Sequence, residues 1–373
     1  MGTGTENRSK IIAVGTAVPD YGSRQETILA FMQHAYNEPV ASRKLNMLFM
    51  QSGIRTRYSV VPDFLNHGNE VLFKSEEAKP DIGKRTFEFK QHAITLAVGA
   101  IEQACHKVNR SIKKMGVTHL ITVTCTGLHA PGLDAGLIEA LDLPPDIFHT
   151  SLNFLGCNAA FPALKIADSI VKSDAGARVL VVCVELCTLH FQPKNNSDNL
   201  LSNTIFGDGA AAVLMVSENT PEFENCSGLV VRNFYSSLLI NGKDLMGWNL
   251  TPLNFEMILN AGLPRFLGDE LNLLKEKIAS AFKIRFSEVD HWAVHPGGKR
   301  VLDEVKQQLQ FENGELEHSY HVLQNYGNMS SPTVLFVLAE ILNNSIRQND
   351  TVLCMGFGPG ISVDTALLQY AKF

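Results

Sequence analysis

The chain contains the same order of secondary-structure signals twice. In each half an apolar strand is followed by a long connection, a turn with a thiol or polar side chain, an apolar helix and a second strand. The spacings agree, because Cys157 follows Cys125 by 32 positions and Asn328 follows His295 by 33. This pattern restricts the chain to a duplicated α/β plan. The predicted strands are 118–125, 178–185, 291–295 and 351–355, and the predicted helices are 159–172 and 332–344.

The duplication predicts where the chemically active side chains lie. Strand ends of the two halves of such a fold face a common crevice. We therefore expect Cys157, His295 and Asn328 to meet there despite their separation in sequence. We also expect two units, an N-terminal half at 1–225 with the cysteine and a C-terminal half at 226–373 with the histidine and the asparagine.

The composition is that of an ordinary globular protein. Of the 373 residues, 45% are hydrophobic and 19% are charged, and the net charge of −6 leaves no excess of Lys and Arg for a nucleic acid backbone. No apolar run reaches the roughly 18–20 residues that span a membrane. The polar start of the chain lacks the features of a signal peptide. We predict a cytoplasmic protein that binds neither nucleic acid nor membrane.

The seven cysteines are scattered along the chain and form no CxxC pair. Neither a disulfide framework nor a structural metal site is expected from such a pattern. The sequence also has no HExxH motif, so we expect no catalytic metal. Most of these cysteines are typical of small buried side chains.

Cys157 has a setting that distinguishes it from the other cysteines. It follows Gly156 and precedes a segment whose apolar residues recur at helical spacing. A helix N-terminus offers free backbone N–H groups and the positive end of the helix dipole, and both favour a thiolate. The sequence therefore predicts a nucleophile, with burial as a small apolar side chain as the simpler interpretation.

His295 and Asn328 are the candidate partners of this thiol. A histidine can pair with a thiolate and donate a hydrogen bond to a thioester oxygen, and an asparagine amide can be a second donor. Each also has a simpler interpretation, a buried histidine for His295 and a left-handed turn residue for Asn328. Their matched places in the repeat favour a covalent acyl-transfer site.

Several short motifs give the chain a resemblance to a known family. At these motifs it resembles the type III polyketide synthases, the chalcone and stilbene synthase family of thiolase-fold condensing enzymes. The resemblance covers nearly the full length, whereas the Cys/His/Asn trio alone would also fit ketoacyl-ACP synthase III enzymes. The motifs are Leu155-Gly-Cys-Asn, Phe206-Gly-Asp-Gly-Ala-Ala-Ala, His295-Pro-Gly-Gly, Tyr326-Gly-Asn-Met-Ser-Ser and Gly356-Phe-Gly-Pro-Gly.

The resemblance implies a fold and a chemistry. The fold would be a duplicated thiolase-like α/β structure in five layers, αβαβα, assembled as a homodimer. An acyl-CoA starter and malonyl-CoA would be used directly as coenzyme A thioesters, with no bound metal or redox cofactor. Cys157 would carry the acyl chain, and His295 with Asn328 would support decarboxylation and hold the oxyanion.

The resemblance also assigns side chains to the reaction cavity. Phe206 and Phe255, which by themselves indicate only core packing, fall where the family has two gatekeeping phenylalanines. Ser330 matches a serine that lines the cavity. His190 stands where plant members usually have a threonine, so the cavity should differ from that of a chalcone synthase.

The residues expected to hold the phosphates of coenzyme A depart from the family pattern. Lys44 matches one basic position, whereas Met47 and Gln51 occupy the next two. Arg55 and Arg57 are the candidate replacements. Ala130 also stands where plant members have a methionine that reaches into the partner subunit.

Together these residues predict the iterative decarboxylative condensation of malonyl-CoA onto a starter held as a Cys157 thioester, followed by cyclisation to a pyrone or a phenolic, resorcinol-type product. Three alternatives stay open: a single-condensation enzyme similar to ketoacyl-ACP synthase III, a Cys/His/Asn acyl hydrolase, and a catalytically silent thiolase-fold partner. Cavity volume selects the starter and the number of extensions, and the sequence does not specify that volume.

Overall fold

The computed structural model describes residues 7–65, 70–74, 79–344 and 346–372. These residues form thirteen strands and eleven α-helices. The strands are β1 (Ser9–Ala17), β2 (Tyr21–Arg24), β3 (Thr56–Ser59), β4 (His119–Thr124), β5 (Phe148–Asn153), β6 (Arg178–Leu186), β7 (Asp208–Ser217), β8 (Gly228–Leu238), β9 (Met246–Leu250), β10 (Phe255–Leu259), β11 (His291–Val294), β12 (Thr351–Gly358) and β13 (Ser362–Ala371). The helices are α1 (Gln25–Tyr36), α2 (Pro39–Gln51), α3 (Ile82–Lys107), α4 (Ile112–Met115), α5 (Leu133–Ala140), α6 (Ala160–Ser173), α7 (Ser197–Ile205), α8 (Leu263–Phe282), α9 (Lys299–Gln308), α10 (Glu317–Tyr326) and α11 (Thr333–Asn344).

Nine strands follow one another in the order β11-β12-β13-β8-β1-β7-β6-β4-β5. The order is nearly symmetric about the junction of β8 with β1. From the junction outwards, β8, β13, β12 and β11 correspond to β1, β7, β6 and β4. The junction itself is short, with Lys10 opposite Val230 and Ile11 opposite Leu229. The predicted duplication is confirmed, while the division of the chain at 225/226 stays a prediction.

Three hydrophobic clusters separate the layers of the fold. The first packs α3, through residues such as Ala100, against the N-terminal strands. The second contains the buried faces of α6 and α11, represented by Ala163 and Val337, between the two sets of strands. The third packs α8 and α9, through Leu271 and Leu302, on the C-terminal strands. Because α6 and α11 are covered on both sides, the order is helix, sheet, helix, sheet, helix, as expected.

The repeat is imperfect in the connections that lead to the two turns. The connection before the Cys157 turn contains α5 and β5, whereas the connection before the Asn328 turn contains α9 and α10. The sequence pattern missed β5, because its segment Phe-His-Thr-Ser-Leu-Asn is largely polar and lies at the edge of the sheet. Among the described residues, none of the helices combines the length and apolar character needed to cross a membrane.

Gly15 allows α3 to cross β1 closely and gives a test of this packing. A Cβ at Gly15 would lie 2.2 Å from the carbonyl oxygen of Ala100 and 2.3 Å from the backbone nitrogen of Ala104. Gly15→Ala must displace the helix, so we expect the free energy of unfolding to fall by about 2 kcal/mol or more. Urea unfolding followed by circular dichroism measures this change.

Gly99→Ala is the matched control on the same helix. Its Cβ would lie 3.5 Å from the Cβ of Ala17, an ordinary contact. Alanine is favoured over glycine inside a helix by roughly 0.5–1 kcal/mol, so this variant should be at least as stable as the wild type. Equal stability of the two variants would contradict the proposed close approach at Gly15.

Candidate active site

Cys157 lies in the tight turn between β5 and α6. Gly156 in this turn has φ +88°, and a Cβ there would lie 2.1 Å from Cδ of Pro359. Glycine at this position therefore lets the C-terminal Gly-Phe-Gly-Pro-Gly loop approach the thiol. The amide of Gly156 also donates a hydrogen bond to Sγ of Cys125 at 3.0 Å. Residues from both halves of the chain thus contact this turn.

The Cys157 thiol is only 6% exposed. Burial raises its pKa to about 11, the charge of Glu185 adds to this rise, and hydrogen bonds with the side chains of Ser330 and Asn328 oppose it. The neutral thiol is therefore the resting form at neutral pH. Burial thus opposes the thiolate that the helix N-terminus favours.

His295 follows the last residue of β11 and is 1% exposed. Its backbone N–H donates to the carbonyl of Met355 at 2.8 Å, which fixes the position of the residue. Burial lowers the pKa of the ring to about 3, which favours the neutral imidazole. Neither ring nitrogen has a hydrogen-bond partner among the described residues. The ring is free to accept one proton and to donate another.

Asn328 connects the other two members of the trio. Its Nδ2 donates to the carbonyl of Gly297 at 3.2 Å, and its Oδ1 accepts from the amide of Ser330 at 2.8 Å. A Cβ on Gly297 would lie 3.6 Å from Cδ2 of His295, so this glycine lies against the imidazole. The Asn328 side chain also lowers the pKa of the Cys157 thiol, so it lies near the sulfur. The structure thus brings the predicted trio together around one asparagine.

A largely apolar cavity adjoins the Cys157 thiol. Its walls include four of the predicted cavity residues, whereas His295 and Asn328 are not among its lining residues. Further aromatic and sulfur-containing side chains make the space suited to an acyl chain. The lining residues include Cys157, Phe206, Phe255, His190, Ser330, Phe191, Trp248 and Met246.

Phe206 is held by its backbone beside Asn328. The amide of Asn328 donates to the carbonyl of Ile205, and the amide of Gly207 donates to the carbonyl of Asn328, each at 2.9 Å. The Arg57 guanidinium also donates to the carbonyl of Phe206. A displacement of this phenylalanine would therefore move the asparagine, which couples one cavity wall to the trio.

Glu185 is a site residue that the sequence interpretation did not single out. It is a completely buried acid in the otherwise apolar strand β6, which is the signal that could have identified it. It accepts hydrogen bonds from the amide of Cys125 at 2.9 Å and from the hydroxyls of Thr126 and Ser331 at 2.8 and 2.6 Å. Burial nevertheless raises its pKa to about 7.

Lys44 and Arg55 are exposed and do not line the Cys157 cavity. The expectation that Arg57 holds a phosphate is wrong, because this side chain is 4% exposed and its guanidinium donates to groups inside the protein. Nζ of Lys44 donates to Oδ1 of Asn195 at 3.4 Å. A cation that sequence reasoning missed, Arg300, donates from Nη2 to Oε1 of Gln51 at 3.4 Å. It therefore lies beside one of the two positions where the family's expected basic residue is replaced.

Comparisons with known proteins show the family to which the chain belongs. Residues 2–219 match the N-terminal domain of chalcone and stilbene synthases, and residues 235–371 match the C-terminal domain. The chain is 29% identical over 371 residues to 3,5-dihydroxyphenylacetyl-CoA synthase of Streptomyces toyocaensis, covering 98% of this chain and 91% of that protein. It is 28% identical to the alpha-pyrone synthesis polyketide synthase-like Pks18 of Mycobacterium tuberculosis, covering 97% and 91%.

Two further similarities concern a long protein and a solved structure. Probable polyketide synthase 1 of Dictyostelium discoideum is 28% identical over 98% of this chain, which spans only 12% of that protein's length. The crystal structure of PKS-I from the brown alga Ectocarpus siliculosus superposes with a TM-score of 0.90 at 25% identity, covering 99% of this chain and 100% of that one. The chain therefore belongs to the chalcone and stilbene synthase family, the type III polyketide synthases, with their thiolase-like fold.

The buried acid Glu185 predicts a pH dependence of stability. Its pKa rises from 4.5 to about 7 on folding, so the folded state binds the extra proton between these values. Its contribution to stability is present at low pH and is lost as the pH rises through this window. The free energy of unfolding of Glu185→Gln relative to wild type should therefore increase from about pH 5 to about pH 8, by up to about 3 kcal/mol.

Urea unfolding of both proteins across this pH range measures the difference. Asp208, whose pKa burial also raises to about 7, titrates in both proteins and cancels. Glu139→Gln, which removes an exposed carboxylate instead of a buried one, is the control. A pH-independent difference for Glu185→Gln would contradict the raised pKa.

Proposed function

We propose that this protein condenses malonyl-CoA repeatedly onto an acyl starter carried by Cys157, and that the product cyclises to a pyrone or a resorcinol-type phenol. The observation that carries the proposal is a thiol at the wall of an apolar cavity, near an asparagine that adjoins a buried histidine whose ring nitrogens have no partner among the described residues. The names of the two bacterial relatives, an alpha-pyrone polyketide synthase-like protein and a dihydroxyphenylacetyl-CoA synthase, support this class of product.

Loading of the starter begins from the neutral pair. The imidazole of His295 accepts the thiol proton as the sulfur of Cys157 attacks the thioester carbonyl. The bond from the carbonyl carbon to the sulfur of coenzyme A breaks, and the departing thiolate takes up the proton. Both groups are then neutral again, which suits a site where burial opposes charge.

Extension uses the donors of His295 and Asn328. One Nδ2 hydrogen of Asn328 is directed to Gly297, which leaves a second for the thioester oxygen of a malonyl group. With an imidazole N–H as the other donor, the negative charge that develops on this oxygen as CO2 leaves is stabilised as an enolate. The enolate carbon then attacks the acyl carbonyl on Cys157, forming a carbon–carbon bond as the bond to the cysteine sulfur breaks. The released thiolate attacks the thioester of the extended chain, which returns the chain to Cys157, and the departing coenzyme A thiolate takes up a proton from water.

The surroundings protect the enolate and hold the coenzyme A substrates. Phe206 and Phe255 act in this proposal as gates that keep water from the reactive carbon, and Ser330 and His190 shape the cavity. Lys44, Arg55 and Arg300 are proposed to hold the phosphates at the surface. The reaction balances without a metal or redox cofactor, because loss of CO2 supplies the carbanion. We place it in the cytoplasm, where acyl-CoA thioesters are made.

Incubation with labelled malonyl-CoA and a panel of aliphatic and aromatic acyl-CoA starters tests this function. The wild type should form multi-unit pyrones or resorcinols, identified by mass. Cys157→Ala should form none, because no acyl-enzyme is possible. Asn328→Ala should still load the starter onto Cys157, seen as a mass increase of the protein, but should lose most CO2 release because one oxyanion donor is missing.

Other outcomes identify the alternatives left open by the sequence. Free acid without malonyl use would indicate a hydrolase, and condensation only with a carrier-protein substrate would indicate an enzyme like ketoacyl-ACP synthase III. No acyl-enzyme with any starter would indicate a silent partner. Polyketide formation that survives in Cys157→Ala would overturn the proposal.

We also propose that the protein is a homodimer joined at the edge strand β5. Phe148 on this strand is 56% exposed, and Phe154 and Leu155 just after it are 40% and 41% exposed. An unpaired strand edge flanked by exposed apolar side chains is a site for pairing with another chain. Two copies of the same edge would suit an antiparallel pairing close to the Cys157 turn.

Phe148→Glu should weaken this association, because it places a charge at the proposed contact. Size-exclusion chromatography with light scattering should show twice the 41.0 kDa chain mass for wild type and a shift toward 41.0 kDa for the variant. Leu273→Glu, at a 66% exposed leucine on α8, is the control and should leave the mass unchanged. A monomeric wild type, or a dimeric Phe148→Glu protein, would refute β5 as the interface.

A further inference from the structure

His190 stands in the cavity wall with both ring nitrogens occupied. Nε2 lies 2.8 Å from the carbonyl oxygen of Thr126, and the amide of Phe255 lies 3.2 Å from Nδ1. Because a carbonyl only accepts and an amide N–H only donates, the ring must carry its proton on Nε2. Burial lowers the pKa of this ring to about 3, which keeps it in this neutral form.

The same ring covers the face of the Phe255 side chain. The two rings are stacked, with centroids 4.5 Å apart and an angle of 16° between their planes. Trp248 and Phe154 pack on Phe255 at tilted or edge angles, with centroid distances of 5.1 and 5.6 Å. His190 therefore holds Phe255 both by its backbone and by its ring.

These contacts of His190 matter because the hairpin that carries Phe255 is not part of the main sheet. Strands β9 and β10 pair with each other in a separate two-stranded sheet and are not part of the nine-stranded order. Outside that sheet, backbone hydrogen bonds from Ile82 to Pro252 and from Gly360 to Met246 attach the hairpin, and side chains add further contacts. Arg85 donates to the carbonyl of Leu253 at 2.6 Å, Asn254 donates to the carbonyl of His190 at 3.1 Å, and Lys194 pairs with Glu256 at 2.7 Å.

We propose that His190 is a positioning residue that holds the Phe255 gate closed over the Cys157 cavity, rather than a polar contact for the substrate. Its two nitrogens are committed to protein groups, so the ring adds no free donor or acceptor to the cavity. It acts through Phe255, whose release would open a path to the thiol. The inference rests on the proposed function only in naming Phe255 a gate.

The rate at which N-ethylmaleimide labels Cys157 measures this gate without any turnover. Peptide mass spectrometry resolves Cys157 from the other cysteines, and buried Cys105 in the first hydrophobic cluster reports opening of the whole protein. His190→Ala should raise the labelling rate of Cys157 by about tenfold, as expected when two hydrogen bonds that hold the closed gate are lost. The rate at Cys105 should not change.

Two conservative variants separate a positioning role from simple destabilisation. In His190→Asn, the side-chain oxygen can accept from the amide of Phe255, as Nδ1 does. In His190→Gln, the side-chain NH2 can donate to the carbonyl of Thr126, as Nε2 does. Each variant restores one of the two hydrogen bonds, so each should label at a rate between those of wild type and His190→Ala.

A wild-type rate at Cys157 in His190→Ala would overturn the proposal. If Cys105 labelling also rises in His190→Ala, the labelling rates of the Asn and Gln variants distinguish a positioning role from a general loss of stability. Renewed protection of Cys157 by either one supports the gate, and protection by neither overturns it.

With an active starter in hand, the alanine variant should raise KM for the starter more than it lowers kcat. Labelling that follows the prediction in a protein without polyketide activity would refute the proposed function and leave the gate standing.

Discussion

The two backbone hydrogen bonds between Asn328 and the chain around Phe206 join the halves of the molecule at the site. Asn328 belongs to the C-terminal repeat, whereas Phe206 and Cys157 belong to the N-terminal one. Backbone pairs fix position and orientation together, because a buried amide cannot be left without a partner. The reach of the asparagine side chain to the thiol therefore depends on how the two repeats pack.

Burial shifts the pKa values of Cys157, Glu185 and His295 toward the neutral form of each group. The pKa of Cys157 rises to about 11, that of Glu185 rises to about 7, and that of His295 falls to about 3. A site of this kind holds little charge at rest. When charge develops on a bound thioester, the few oriented donors nearby act on it with little screening from water. The same apolar surroundings that suppress the thiolate thus favour a reaction in which protons move as bonds change.

Sequence patterns anticipated the elements with strong apolar periodicity and missed those without it. The predicted helices at 159–172 and 332–344 differ by about one residue from Ala160–Ser173 and Thr333–Asn344. Strand β5 was missed because its pairing is set by its neighbour β4 and not by its own polar residues. The opposition of burial to charge on Cys157 and His295 was not apparent from the sequence for a related reason. A helix terminus can be recognised locally, whereas desolvation is the sum of many residues that are distant in sequence.

By itself the sequence determined the duplicated order of elements, the trio of Cys157, His295 and Asn328, and the motifs that mark the family, because these depend on residue type and spacing. Only the tertiary structure decided which polar atoms are free to act. The imidazole of His295 has open nitrogens, whereas that of His190 is committed to groups 64 and 65 positions away in the chain. Both residues are histidines, and they differ only in their hydrogen-bond partners. Those partners depend on how distant segments of the chain pack together, which no local sequence pattern specifies.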